Sequence, residues 1–363
     1  MDKRSFGLDI LRTISVWMVM LSHVAYWCNP TEGGLYYSII KPLLLGVEPF
    51  FVLGGFLAAI SFQSVIEKNN GVVYASDGRA YIKRRWLRTF PNYFLFLLVY
   101  SLAFYVVKPD FSFDITYLVF AQNLYWLSPN FFSISWSLAT QEWFYLLLPF
   151  LMIAVGFVVP ALKKINPLLV AATALIIFSF CGRYFYLEQN VVLDLEGELR
   201  RIALLRLDSV GIGVLFGYFY FSKKEYFIKN AIILFFIGCV LVVSLSYLRR
   251  NDGFNSLYWV QMLFYPLFSL SIALWMPFFY NMPRDSTPFV ARVFENTSKW
   301  SYSIYLSHVL FLDAIYIVGK KMGIVFEAGW LIYCLIALWV FVTYMASALI
   351  YRYFEKPWLK YGK

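Results

Sequence analysis

What most constrains this chain is the length and spacing of its apolar runs. A helix needs about 18 or more apolar residues to cross a hydrocarbon core. Runs of that kind lie near 8–28, 42–66, 88–107, 136–159, 167–186, 203–221, 228–248, 258–280, 300–318 and 328–355. Lipid offers no partner to a bare N–H or C=O, so such runs cross as helices. The composition agrees: 61% of the 363 residues are hydrophobic and 14% are charged, against about 25% charged in a soluble domain. The 37 Phe, 28 Tyr and 12 Trp suit aromatic belts at the membrane interfaces. The expected fold is all-α: a polytopic membrane protein with about ten transmembrane helices surrounding a central cavity. The stretch 114–127 is too short to cross simply and predicts a short re-entrant or interfacial helix. No repeat and no long polar linker divides the chain, so one domain over 1–363 is expected.

The N-terminal run imitates a signal peptide, but it is long, contains Arg12 and ends in YWCNPTEGG without a small-residue cleavage pattern. It is read as the first permanent span. Cys28, Cys181, Cys239 and Cys334 are far apart and beside apolar runs, a pattern of small buried hydrophobes rather than a metal or redox site. No metal is expected. The formal charge of +10 raises the question of nucleic acid, but the basic residues fall mostly between spans, which suits topology better. With ten spans both termini share a side. Roughly twenty Lys and Arg fall on that side and roughly ten on the other, which makes the termini cytoplasmic. Strong contributors are IKRRWLR (82–88), LKKIN (162–166) and SKKEYFIK (222–229).

Within the first span, Arg12 and His23 are costly residues for lipid. Eleven steps of about 100° end about 20° past three full turns, so the two share a face, separated by about 16 Å along the axis. Separately, each has a bland reading: Arg12 anchors to headgroups, and His23 is satisfied by a neighbouring helix. On one stripe they suit a long ligand, anionic at its tail and reactive at its tip.

Seven segments then carry a resemblance. They are Arg12 and His23 with ten residues between them, GVEPFFVLGGFLA (46–58), YIKRRWLRTFPNYF (81–94), SWSLATQEWFYLLLP (135–149), LRLDSVGIGVLFG (205–217), SYSIYLSHVLF (301–311) and FEKPW (354–358). In this order they resemble the acyltransferase family 3, multispan acetyltransferases that modify cell-surface glycans. The resemblance implies a transmembrane domain of that kind in a bacterial plasma (inner) membrane; some relatives append a soluble domain, and none is expected here from the chain's length. It implies acetyl-CoA as acyl donor at the cytoplasmic face, with no metal, and a glycan or lipid-linked sugar as acceptor at the outer face. O-antigen, exopolysaccharide and capsule units are all compatible acceptors. The expected partners are therefore acetyl-CoA, the sugar acceptor and the bilayer, not nucleic acid.

The residues give these roles a physical basis. Lys83, Arg84, Arg85 and Arg88, with Arg12 further along the path, suit the phosphates of coenzyme A. The bland reading of the same cluster is topology and anionic lipid. A neutral His23 is a plausible general base for a sugar hydroxyl, or a nucleophile that carries the acyl group. Glu142 shares a helical face with Leu138 and Tyr145 and is assigned to orienting the imidazole or the acceptor. Glu48, Trp136, Tyr145 and His308 are assigned to the acceptor; the other reading of His308 is polar glue between helices. Arg206 and Asp208 are two apart and pair with other helices or line an outer vestibule. Glu355 and Lys356 are expected to anchor the last helix at the interface. The chain departs from the family pattern at Gly54, where serine is usual, at Glu48 for aspartate, at Gln141 for a first glutamate, and at Trp143 for a polar residue. The rival function is a membrane transporter of a small anionic or sugar substrate, which intramembrane ionisable residues also mark.

Overall fold

The computed structural model describes residues 5–28, 43–108, 110–127, 131–158, 166–192, 194–249, 252–284, 287–324 and 330–362. All regular structure among them is helical. The long helices are α1 (Phe6–Cys28), α2 (Glu48–Lys68), α3 (Ala75–Val107), α4 (Trp136–Val158), α5 (Pro167–Gln189), α6 (Leu207–Ser222), α7 (Ala231–Leu248), α8 (Tyr258–Ala273), α9 (Pro288–Lys321) and α10 (Trp330–Ile350). Taken with the helical turns that adjoin them, such as Leu204–Arg206 before α6 and Met276–Asn281 after α8, they make up ten segments long and apolar enough to cross a membrane. The protein is a multi-pass, all-α membrane protein. Residues 162–165 and the side chain of Cys28 lie outside the described residues.

Three sequence expectations are corrected. The third span begins at Ala75 rather than near 88, and the ninth at Pro288 rather than near 300. At 33 and 34 residues these helices are roughly 50 Å long, well beyond a hydrocarbon core of about 30 Å. The basic stretch 82–88 is therefore helical rather than a loop, because Lys and Arg are good helix formers. The segment 114–127 holds a short 3-10 helix, Ile115–Val119. Asp114 caps it by accepting from Thr116 N at 2.9 Å and Thr116 Oγ1 at 2.7 Å. Phe120 ends it with a φ of 56°.

The chain forms two compact units. The first comprises Met1–Val47, Trp86–Phe113 and Pro283–Lys363. In it α1 and α9 run parallel: the Phe6 and Phe294 rings meet at 6.2 Å, Ser298 Oγ donates to Asp9 at 2.6 Å, and the His23 ring meets His308. Gly46 lies against α1 so closely that a Cβ would come 2.7 Å from Met18 Cβ. Helix α10 joins α9 through Ser307 and Ser347, whose hydroxyls are 3.2 Å apart. It continues into a π-helical turn, Tyr351–Glu355.

The second unit comprises Glu48–Arg85 and Asp114–Met282. Its centre is the pairing of α2 with α6, in which backbones nearly touch. A Cβ on Gly55 would fall 2.0 Å from Val210 O, and one on Gly213 would fall 2.1 Å from Val52 O. Small residues allow this approach, the main packing device when lipid removes the hydrophobic drive between helices. By contrast, α7 leaves Ile232, Phe236, Val240 and Val243 exposed, as a lipid-facing helix should. The polar segment before α4 is laid against the chain before α6. Asn123 Nδ2 donates to Trp136 O at 3.1 Å and Arg201 O at 2.6 Å, and Ala203 N donates to Asn123 O at 2.8 Å.

Candidate functional site

In the first unit α1 presents both members of its polar stripe toward groups linked to α9. Arg12 Nη1 lies 3.4 Å from Asp9 Oδ1 and its side chain is 15% exposed. Asp9, almost wholly buried, also accepts from Ser298 Oγ. Arg12 is thus tied to an acid one turn away. Three turns on, His23 Nδ1 lies 2.9 Å from the carbonyl of Val19. A carbonyl only accepts, so Nδ1 carries hydrogen, and in the neutral ring Nε2 holds the lone pair. Ser22 Oγ, which donates to Val19 O at 2.7 Å, is 3.4 Å from the same Nδ1. His308 repeats the arrangement, its Nδ1 being 3.1 Å from Ile304 O. The two imidazole centroids are 4.9 Å apart and the planes cross at 80°.

A second polar cluster of this unit was expected at the interface and is buried. Glu355, only 3% exposed, accepts from Asn92 Nδ2 at 2.8 Å and from Ser303 Oγ at 3.0 Å. Asn92 also donates to Ser303 Oγ at 3.0 Å, and Arg88 acts electrostatically on the carboxylate. The expected anchoring role of Glu355 is therefore corrected: the π turn rotates the acid inward from the end of α10. Sequence reading missed Asp9, Asn92, Ser298 and Ser303 here. Only Asp9 left a signal, its spacing of three from Arg12.

In the second unit the assigned residues form two groups along α2 and α4. At the starts of both helices, Glu48 is fully buried, 2.5 Å from Arg206 Nη2 and 3.4 Å from Arg200 Nε. Arg200 lies over the Trp136 ring at 5.0 Å, and Phe51 meets that ring edge-on at 6.0 Å. Arg206 also stacks on Tyr265 at 3.8 Å. Asp208 instead meets Arg183, with 2.6 Å between Oδ2 and Nη2. The expectation that these two neighbours pair elsewhere is met. Further along α4, about 9 and 14 Å from Trp136 by axial rise, lie Glu142 and Tyr145, and Arg85 of α3 meets them there. The Arg85 guanidinium is 4.4 Å from the Tyr145 ring centroid and 5.5 Å from that of Tyr81, and it attracts Glu142. Glu142, Tyr145 and Tyr81 are buried. Lys83 and Arg84 are exposed.

The family model described as an acyltransferase domain matches residues 5–351. The chain belongs to acyltransferase family 3. Among its relatives, the O-acetyltransferase OatA of Staphylococcus aureus strain NCTC 8325 / PS 47 is 24% identical over 388 residues, covering 98% of this chain and 57% of that protein. OatA of Staphylococcus aureus strain COL matches with the same identity and coverage. The chain thus spans little more than half the length of these curated relatives. No solved structure matches it.

Two departures of this family 3 acyltransferase acquire a physical reason. At Gly54 a Cβ would stand 2.5 Å from Tyr145 Oη, so the tyrosine hydroxyl fills the space a serine side chain needs. Trp143, in place of a polar residue, still donates through Nε1 to Phe120 O at 2.9 Å and ties α4 to the end of the 3-10 turn.

Proposed function

We propose that this acyltransferase is a membrane O-acetyltransferase. It moves an acetyl group from acetyl-CoA at the cytoplasmic face to a sugar hydroxyl of a cell-surface polysaccharide or lipid-linked glycan at the outer face. The observation that carries the chemistry is the Nδ1 contact of His23 with Val19 O, which leaves Nε2 as the basic nitrogen. As the sugar oxygen bonds to the acyl carbon, Nε2 takes the hydroxyl proton. The carbon–sulfur bond then breaks, and the thiolate leaves with its electron pair and receives the proton back from the imidazolium. A covalent route through Nε2 uses the same lone pair. The family and the O-acetyltransferase names of the relatives support acyl transfer to oxygen.

Arg12, Lys83, Arg84, Arg85 and Arg88 are assigned to the phosphates of the donor. Lys83 and Arg84, which are exposed, are ready to meet anions, whereas Arg85 binds them from above the Tyr145 ring. Glu142 orients groups through Arg85, and Trp136, Tyr145, Glu48 and His308 belong to the acceptor side. The bacterial inner membrane, with cytoplasmic termini, is the setting this division of faces requires.

The test uses purified full-length chain in lipid nanodiscs with labelled acetyl-CoA and a panel of glycans. Label should reach glycan hydroxyls, and His23→Ala should lower the rate at least about 100-fold, the scale of a lost general base. Undiminished transfer by His23→Ala would remove this site from the chemistry.

A further inference from the structure

We propose that His308 is a positioning residue for His23 and that the two imidazoles act as a pair that holds one added proton. This rests on the reading of His23 as the basic group of acetyl transfer.

Three observations carry it. First, His308 is completely buried, and its Nε2 makes no hydrogen bond among the described residues. A buried polar atom without a partner costs about 1–3 kcal/mol, which an apolar ring of similar shape would avoid. Second, that costly ring is held with care. The Ile304 carbonyl fixes Nδ1 as the hydrogen-bearing atom, so the neutral ring keeps its lone pair on Nε2. Trp339, itself fully buried, donates from Nε1 to the backbone carbonyl of His308 at 2.8 Å. The adjoining Ser307 hydroxyl meets Ser347 at 3.2 Å. Helix α10 thereby holds this turn of α9 at two consecutive residues. Third, the ring so held is in contact with that of His23, edge against face at 4.9 Å.

The pairing has a chemical consequence. While the acceptor's proton resides on His23, the imidazolium lies beside a neutral imidazole whose Nε2 lone pair is not spent on any hydrogen bond among the described residues, and that electron-rich ring stabilises the cation. Two imidazolium rings at that separation would repel in a weakly screened interior, so the pair takes up one proton, not two. The proton enters from the sugar hydroxyl and leaves on the thiolate of coenzyme A, and His308 ends as it began. Rigid clamping by α10 serves the step because stabilisation that is already in place needs no reorganisation when the charge develops.

The experiment compares wild type, His23→Ala, His308→Phe and His308→Gln, each full length in nanodiscs, with labelled acetyl-CoA and the glycan that wild type acetylates. His308→Phe keeps the ring but removes the acceptor nitrogen. It should lower kcat about 10- to 100-fold and leave KM for acetyl-CoA within about twofold. His308→Gln restores an acceptor near the position of Nε2 and should recover most of kcat. A purely structural contact predicts equal loss in both variants, and that result would overturn the pair. So would wild-type kcat in His308→Phe. If that variant is not monodisperse on size exclusion, His308→Leu is the acceptor-free member and the comparison with His308→Gln stands. Loss in His23→Ala with full activity in His308→Phe defeats the pair alone. Activity in His23→Ala, or none in wild type, defeats the underlying reading of His23.

Discussion

At the residue scale, several of the buried charges among the described residues stand in pairs. Glu48 holds Arg206 and Arg200, Asp208 holds Arg183, and Asp9 holds Arg12. Breaking such a buried pair from one side leaves a bare charge and costs about 3–5 kcal/mol. Glu48→Gln should therefore lower the thermal midpoint sharply in detergent, measured by scanning fluorimetry, whereas Glu48→Asp retains the charge and should lose less. A neutral response to Glu48→Gln would mean the two arginines are satisfied without it. Gly54 offers a finer test. An alanine methyl there would stand 2.5 Å from Tyr145 Oη but 3.5 Å from Cζ, and only the second is an ordinary contact. Gly54→Ala should destabilise by about 1–3 kcal/mol, the usual cost of overpacking. Tyr145→Phe should relieve most of that in the double variant. Additive losses would show that the hydroxyl is not the obstacle.

At the scale of elements, the sequence made every span legible and several boundaries illegible, for one physical reason. Hydropathy reports where a helix meets hydrocarbon, and α3 and α9 continue as helices beyond it, carrying Arg79, Lys83 and Arg84 on exposed positions. Helical phase was equally readable: Arg12 and His23 both reach groups linked to α9, as one stripe should. What had no signature was the partner across space. Nothing in the sequence joins Asn92 and Ser303 to Glu355, because that cluster depends on a π turn five residues long at the end of α10. The glycines of α2 and α6 were partly readable, since small residues mark close helix packing but not which helix receives them. Here the approach is to backbone, which cannot rotate away. Gly55→Ala and Gly213→Ala should each abolish accumulation of folded protein, seen as loss of the monodisperse peak, while Gly71→Ala would meet nothing within 4 Å and is limited only by its φ of 94°. Normal expression of Gly55→Ala would contradict the α2–α6 packing.

At the scale of the whole molecule the directions of helices constrain its threading through the membrane. In the first unit α1 and α9 run parallel, and in the second α2, α4 and α6 run parallel. Both agree with ten successive crossings, in which odd-numbered spans share one direction and even-numbered spans the other. Under the positive-inside rule the surplus of Lys and Arg on the terminal side predicts cytoplasmic termini. Four cations in or beside spans five to eight have partners in the fold: Arg183, Arg200, Arg206 and Arg249 are ion-paired with Asp208, Glu48 and Glu196. They are structural charges and not topological ones. The threading predicts opposite labelling for two exposed sites, Val191 after α5 and Ser222 at the end of α6. In a background with the four native cysteines replaced by serine, Val191→Cys should react with a membrane-impermeant maleimide on intact cells. Ser222→Cys should react only after permeabilisation. The reverse pattern would put Arg12 toward the outer surface and His23 toward the inner, leaving the proposed donor path entering from the wrong side.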